Sequence, residues 1–179
     1  QQESMNINSD INLLGGLPDF NLIPHFIKGS ADQNQKEDPY FTFTAIKTDK
    51  SVRRFERAIT STFLRFSSIE SELLVKSVLT NESISTDSLL LLFWSASKNN
   101  DLMHYLNSNV YFPAFYSGRL VLKNEDASSC INDLKSTEPL VQNWSNLTIA
   151  TVARKYLSLL KKFNLLEGTS TRTIRHPFL

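Results

Sequence analysis

Seven apolar residues near the C-terminus, Ile149, Val152, Ala153, Tyr156, Leu159, Leu160 and Phe163, recur at spacings of three and four. Only a helix brings such a series onto one face. Thr151, Arg154, Lys155, Ser158, Lys161 and Lys162 fall on the other face. Ser145 is a good N-cap with Thr148 three residues on, and Trp144 with Ile149 forms a hydrophobic staple. Asn164 follows the last apolar contact and suits a left-handed position. Leu165-Leu166-Glu167-Gly168 and then Thr169 to Arg175 predict a strand, a turn and a second strand. Helix, cap, long amphipathic helix and a small basic hairpin is the order of a winged helix. In that fold the long helix lies across a nucleic-acid groove and the hairpin reaches the backbone beside it. The same fold also serves protein interaction.

Upstream, Val52, Phe55, Ile59, Phe63 and Phe66 predict an amphipathic helix from Ser51, with Arg53, Arg54, Arg57 and Arg65 on its opposite face. Ser67 with Glu70 reads as a capping box for a helix from Ser68 to about Thr80, with Ile69, Leu73, Leu74 and Val78 as its apolar residues. A third helix runs from about Thr86 to Ser97, capped by Ser85 or Thr86. Its block Leu89 to Trp94 is apolar all round, which predicts the buried centre of the domain with Trp94 in the core. Asp101 is the expected cap of a fourth helix through about Asn109, broken by Pro113 and Gly118. Arg119 to Leu122 reads as a short strand, and Asn124 as the cap of a helix to about Lys135. Near the N-terminus, Gly15-Gly16-Leu17-Pro18 ends a polar arm, Asp19 to Lys28 reads as a short helix, and Ser30 to Pro39 as a linker. Tyr40 to Ile46 is either a strand or the start of a helix. With 25 leucines against 5 glycines and 6 prolines in 179 residues, the expected fold is mainly α. It is a helical bundle with a helix-turn-helix or winged-helix-like C-terminal part and a small β-hairpin wing. The expected divisions are an arm and linker over 1–39, a helical core over 40–122 and the winged-helix-like part over 123–179.

The net charge is only +1, but it is unevenly spread. Residues 1–46 carry −4, 47–66 carry +4, 67–146 carry −4 and 147–179 carry +5. Two basic blocks separated by acidic ones are the footprint of a surface that meets a polyanion. The bland alternative is a pair of solvated helix faces whose charges pair with the acidic segments.

Little supports catalysis. The single cysteine, Cys130, excludes an internal disulfide framework and reads as a small core residue. His25, His104 and His176 stand at no metal spacing from one another or from Cys130, so no metal and no cofactor is expected. His176 reads as a wing residue. No glycine-rich phosphate loop or serine elbow is present. Three asparagine acceptor motifs begin at Asn81, Asn143 and Asn146, but no stretch resembles a secretory signal. The longest apolar run, six residues from Leu89 to Trp94, is far short of the ~20 a membrane span needs. These features predict a cytoplasmic, non-enzymatic protein, with Met5 the expected natural start.

The arrangement resembles the BrxA family, small helical proteins of BREX phage-defence systems. The likeness lies in Ser51-Val52-Arg53-Arg54-Phe55-Glu56-Arg57 with Phe63-Leu64-Arg65-Phe66, and in the leucine block Leu89 to Trp94. It continues in Trp144-Ser145-Asn146-Leu147-Thr148, Lys155-Tyr156-Leu157 and Phe163-Asn164-Leu165-Leu166-Glu167-Gly168, with Gly15-Gly16-Leu17 in a similar early segment. The resemblance implies double-stranded DNA binding without catalysis, beside a methyltransferase, an ATPase and a phosphatase-like protein. Arg154, Lys155, Lys161, Lys162, Arg172 and Arg175 are the expected phosphate contacts, and Arg53, Arg54 and Arg57 a second basic stripe. Base readout usually needs Arg, Asn or Gln near the start of the recognition helix. Only Asn146 qualifies, so weak sequence specificity is expected. Two other readings stay open: an adaptor that holds other defence proteins, and an RNA-binding protein. The aromatics fall mostly at core positions, which speaks against a platform for stacking single-stranded bases.

Overall fold

A computed structural model describes residues 5–18, 20–24, 49–79 and 83–176. Over these residues the chain is mainly helical with one small antiparallel sheet, as its sequence predicts. The expected linker and the undecided segment Tyr40 to Ile46 lie outside the described residues. The helices are α1 (Asp10–Leu14), α2 (Asp49–Phe63), α3 (Ile69–Leu79), α4 (Thr86–Asn99), α5 (Asp101–Leu106), α6 (Phe112–Tyr116), α7 (Asn124–Asp133), α8 (Pro139–Gln142) and α9 (Asn146–Lys162). The strands are β1 (Val121–Leu122), β2 (Leu166–Glu167) and β3 (Arg172–Ile174).

The centre is α9. It buries Ile149, Val152, Ala153, Tyr156, Leu157, Leu159 and Leu160, and packs chiefly on α7 and α1. The N–H of Thr148 donates to Ser145 Oγ at 3.1 Å, so the predicted cap forms. Trp144 packs half-buried against the core, as a staple residue should. At the other end Asn164 adopts φ 63°. The Leu165 N–H then reaches the Leu160 carbonyl and the Asn164 N–H the Lys161 carbonyl, both at 2.9 Å. This is a Schellman closure, completed by burial of both Leu160 and Leu165. It turns the chain directly into β2. The hairpin turn needs Gly168, whose φ is 90° and whose missing Cβ would sit 2.1 Å from the Thr171 carbonyl oxygen. The sheet order is β1-β3-β2, with Val121 opposite Thr173 and Leu166 opposite Ile174.

Several local expectations are corrected. The capping box before α3 uses Ser68 and Ser71, which exchange backbone-to-hydroxyl bonds of 3.2 Å each way. Ser67 is displaced from that role by one residue, and its hydroxyl accepts from Lys98 Nζ at 2.7 Å. Of the apolar residues expected to bury on α3, Ile69, Leu73 and Leu74 are exposed, Val78 is half-buried, and Val75 and Leu79 carry the contact. Packing chiefly on α4 uses only a narrow stripe of the helix. The block Leu89 to Trp94 is not the buried centre. Leu92 and Phe93 are buried, Leu89 to Leu91 are half-buried, and Trp94 is 56% exposed. An all-round apolar helix laid on one side of a core still shows its other side to water.

Asn100, not Asp101, caps α5, accepting from the Met103 N–H at 2.8 Å. Asp101 instead accepts from the Asn6 N–H at 2.7 Å. Pro113 does not break the helix. A π-helical turn, Asn107–Tyr111, carries α5 into α6, and Pro113 sits at the start of α6. The wider turn accommodates a residue with no N–H to donate. Gly118, at φ 71°, ends it. Asn124 is the first residue of α7 rather than its cap; the Lys123 N–H donates to Asp126 Oδ2 at 2.7 Å.

Candidate nucleic-acid interface

The polar face of α9 exposes Leu147, Ala150, Arg154 and Lys161, with Thr151 and Ser158 half-buried between them. Lys155 and Lys162 turn toward α1 and are half-buried. Two glycines make that approach possible. A Cβ on Gly15 would lie 2.6 Å from the Lys155 carbonyl oxygen and 2.9 Å from its Cβ, so α1 ends in direct contact with α9. Lys162 Nζ donates to the Gly15 carbonyl at 3.0 Å, and Lys155 Nζ lies over Gly16. The early Gly-Gly pair is thus the seat of the arm on the basic helix. Its sequence signal was the doublet itself, directly after the apolar residues Ile11 and Leu14 that both bury.

The hairpin adds Arg172, half-buried, whose Nη1 donates to Asn124 Oδ1 at 3.3 Å. Arg175 is exposed one residue past the strand, its backbone N–H bound to the Leu165 carbonyl at 2.9 Å. The charges crowd one another. Burial lowers the Lys162 pKa first, and Lys155, Lys161 and Arg172 lower it further. Burial also lowers that of Arg172, with Arg154 adding to the effect. Five cations from two elements therefore share one field. Among the described residues the ion pairs are Lys76 to Glu72 and Arg119 to Asp126, and neither involves this group. The acidic segments do not neutralise it there. A cluster of like charges held together by packing is relieved by a polyanion.

Arg53, Arg54 and Arg57 are exposed along α2 as their spacing predicts. None of them is among the charges that act on Lys162 or Arg172. Between α2 and α9 lies α1, which packs against both. The two helices meet at their C-terminal ends, where the Phe63 and Phe163 rings lie 6.1 Å apart. Arg57 and Arg53 stand six and ten residues back from Phe63, about 9 and about 15 Å along the helix.

Cys130 is half-buried on α7 beside Tyr105, and burial raises its thiol pKa. That leaves it protonated and a poor nucleophile. His176 packs its ring on Phe115, 4.7 Å between centroids. Among the described residues no group of three or more His, Cys, Asp or Glu side chains is arranged to hold a metal ion. Likewise no described helix is long and apolar enough to cross a membrane.

The model of the BrxA family matches residues 41–179, from before α2 to the end of the hairpin. The chain belongs to the BrxA family. The match takes in α9, the hairpin and the α2 arginines, and begins after the arm that carries Gly15 and Gly16. Membership points to a role in BREX-type phage defence. Neither the curated proteins nor the solved structures provide a match.

Proposed function

We propose that this BrxA-family protein is a non-catalytic, cytoplasmic accessory of a BREX-type system that binds double-stranded DNA through backbone phosphates with weak sequence specificity. The observation that carries this reading is the convergence of Arg154, Lys155, Lys161, Lys162 and Arg172, with no carboxylate paired to them among the described residues. The topology supports a winged-helix assignment. A continuous helical stretch, a strand, three further helices, of which the middle one has four residues, and a hairpin follow in order from residue 101, and β1 pairs with the last strand rather than the first of the hairpin. In that fold α9 faces the groove and the 168–171 turn approaches the backbone. Arg154, Lys161 and Arg175 are the freest contacts, whereas Lys162 is tied to α1. At the exposed start of α9 Leu147 and Ala150 offer no hydrogen bonds to base edges and Asn146 supplies the one amide, which fits weak readout.

The test is a titration of a random duplex at about 50 and about 200 mM salt, where neutralising some five phosphates lowers affinity roughly 10²- to 10³-fold. Binding that ignores salt, or none at the lower salt, removes the proposal. One observation favours the adaptor reading: Leu147 is 77% and Leu140 57% exposed around the turn between α8 and α9. Two such leucines suit a protein partner from the same defence system. In that case Leu147→Ser abolishes co-purification with a BREX partner and leaves duplex affinity unchanged.

A further inference from the structure

Rings in the core meet edge to face. Phe163 lies at 65° to Phe20, 74° to Phe63 and 67° to Phe93. Three rings towards the surface are aligned differently, while Tyr116 also meets Phe115 edge to face at 88°. Trp94 of α4 stacks on Phe112 at 5.7 Å and 22°. Phe112 in turn stacks on Tyr116, one turn along α6, at 6.2 Å and 24°. Trp94 is 56% exposed and Tyr116 79%. Buried Phe93 backs the column, 5.6 Å from Trp94 and 6.1 Å from Phe112. Trp94 and Tyr116 are therefore open to solvent, and half-buried Phe112 between them is held in place.

The column is also placed beside cations. Exposed Lys98 follows Trp94 by one helical turn. Beyond Tyr116, Phe115 carries the His176 ring, and His176 stands next to Arg175. His176 follows Arg172 by four residues along an extended chain, about 13 Å. β3 and the two residues after it thus run from the cation cluster at α9 to Phe115, whose ring meets Tyr116 edge to face at 5.4 Å.

We propose that Trp94, Phe112 and Tyr116 form a shelf that stacks unpaired bases of a single DNA strand continuing from the duplex at α9. The origin of that strand rests on the duplex reading above; the shelf itself does not. Aliphatic side chains of a protein partner gain from rings at any angle, whereas a base extends a column of near-parallel rings. Every base has a π-face, so such a site tolerates sequence. It also corrects the expectation that Trp94 lies in the core.

The test uses the full chain carrying Trp144→Phe, so that Trp94 alone reports by fluorescence. The probes are an oligothymidylate of about 12 nucleotides and an abasic strand of equal length. Thymidylate should quench Trp94 and bind about tenfold tighter than the abasic strand. Tyr116→Ala, a surface change, should erase that advantage while abasic and duplex affinities stay unchanged. Equal affinity for the two strands overturns the proposal. So does an advantage that survives Tyr116→Ala, or a homodimer that Trp94→Leu dissociates. Retained thymidylate preference with no duplex binding supports the shelf and refutes the duplex function instead.

Discussion

Two helices of this protein carry nearly the same sequence design. Both α2 and α9 are amphipathic, with aromatic and aliphatic residues on one face and three or four cations on the other. Their surroundings differ. The arginines of α2 are exposed on one helix face, and none of them is among the charges that act on Lys162 or Arg172. The cations of α9 are joined by Arg172 from β3, and α1 presses on the same side. A basic stripe on one helix is the ordinary solvated face of an amphipathic helix. Cations converging from two elements, with no carboxylate paired to them among the described residues, are an arrangement that packing has to maintain against repulsion. Convergence therefore separates a candidate interface from a solvated face.

The largest effect should come from exchanging the two faces in turn. Changing Arg154, Lys161 and Arg172 together to alanine removes three expected phosphate contacts, which at about 0.1 M salt should weaken duplex binding several hundredfold, since each contact contributes a slope near −0.9 in log salt. The matched change of Arg53, Arg54 and Arg57 should cost less than about tenfold, the contribution of no more than one contact. Fluorescence anisotropy with both triple variants reads this directly. Equal losses would mean that the helices work alike and that convergence is not the criterion.

The next effect is on stability and belongs to the arm. Gly15→Ala drives a methyl into the Lys155 backbone, 2.6 Å from its carbonyl oxygen. Overpacking of this kind costs about 1–3 kcal/mol, here with loosening of α1 from α9. Gly16→Ala, whose nearest neighbour is the Leu13 carbonyl at 3.2 Å, should cost less. Urea unfolding of the two variants ranks them, and no analogous glycine effect is expected on α2.

Alkali should unfold the protein through the α9 side. Tyr156 is fully buried and its hydroxyl donates to Asn107 Oδ1 at 2.9 Å. Burial pushes its pKa well above 10, and Tyr111, also raised by burial, sits at about 12. A raised folded pKa means stability that is complete below the unfolded value near 10 and lost as pH climbs through the folded value. Stability should thus hold to about pH 10 and fall towards pH 12, with tyrosinate absorbance appearing as helicity is lost. Tyr156→Phe should lower stability at neutral pH by about 1–2 kcal/mol, by leaving Asn107 Oδ1 unpaired, and make the alkaline fall shallower.

The difference between the helices also marks what their sequence disclosed. The α9 stripe, its Ser145 cap, the left-handed Asn164 and the hairpin were legible because each is local: a period, a cap, a φ that few residues tolerate. The positions of the cations on helix faces followed from the same period. Their meeting with Arg172 followed from the winged-helix order, but the seat of α1 against Lys155 and Lys162 did not, because it depends on how the arm folds back onto α9 across a long stretch of chain. The block Leu89 to Trp94 misled for a related reason. An all-round apolar helix has no period to say which side is covered, so Trp94 read as core when it stacks at the surface on Phe112. Pro113 was read by its usual effect, and the π-helical turn that receives it has no simple sequence signature.

The smallest effect compares one buried hydroxyl on each helix. On α9, the Tyr156 hydroxyl is satisfied by Asn107. On α2, Thr62 is 3% exposed, and its Oγ1 has no hydrogen-bond partner among the described residues. It borders a small enclosed cavity otherwise lined largely by apolar side chains, among them Ile11, Phe63, Met103 and Phe163. Burying an unmatched hydroxyl is unfavourable, and valine has nearly the same shape without it. Thr62→Val should therefore raise stability by up to about 1 kcal/mol, opposite in sign to Tyr156→Phe. Chemical denaturation of the two variants side by side tests the pair. A loss of stability in Thr62→Val would mean that its hydroxyl is satisfied in solution, most simply by a water in that cavity, and that α2 is as fully matched to its surroundings as α9.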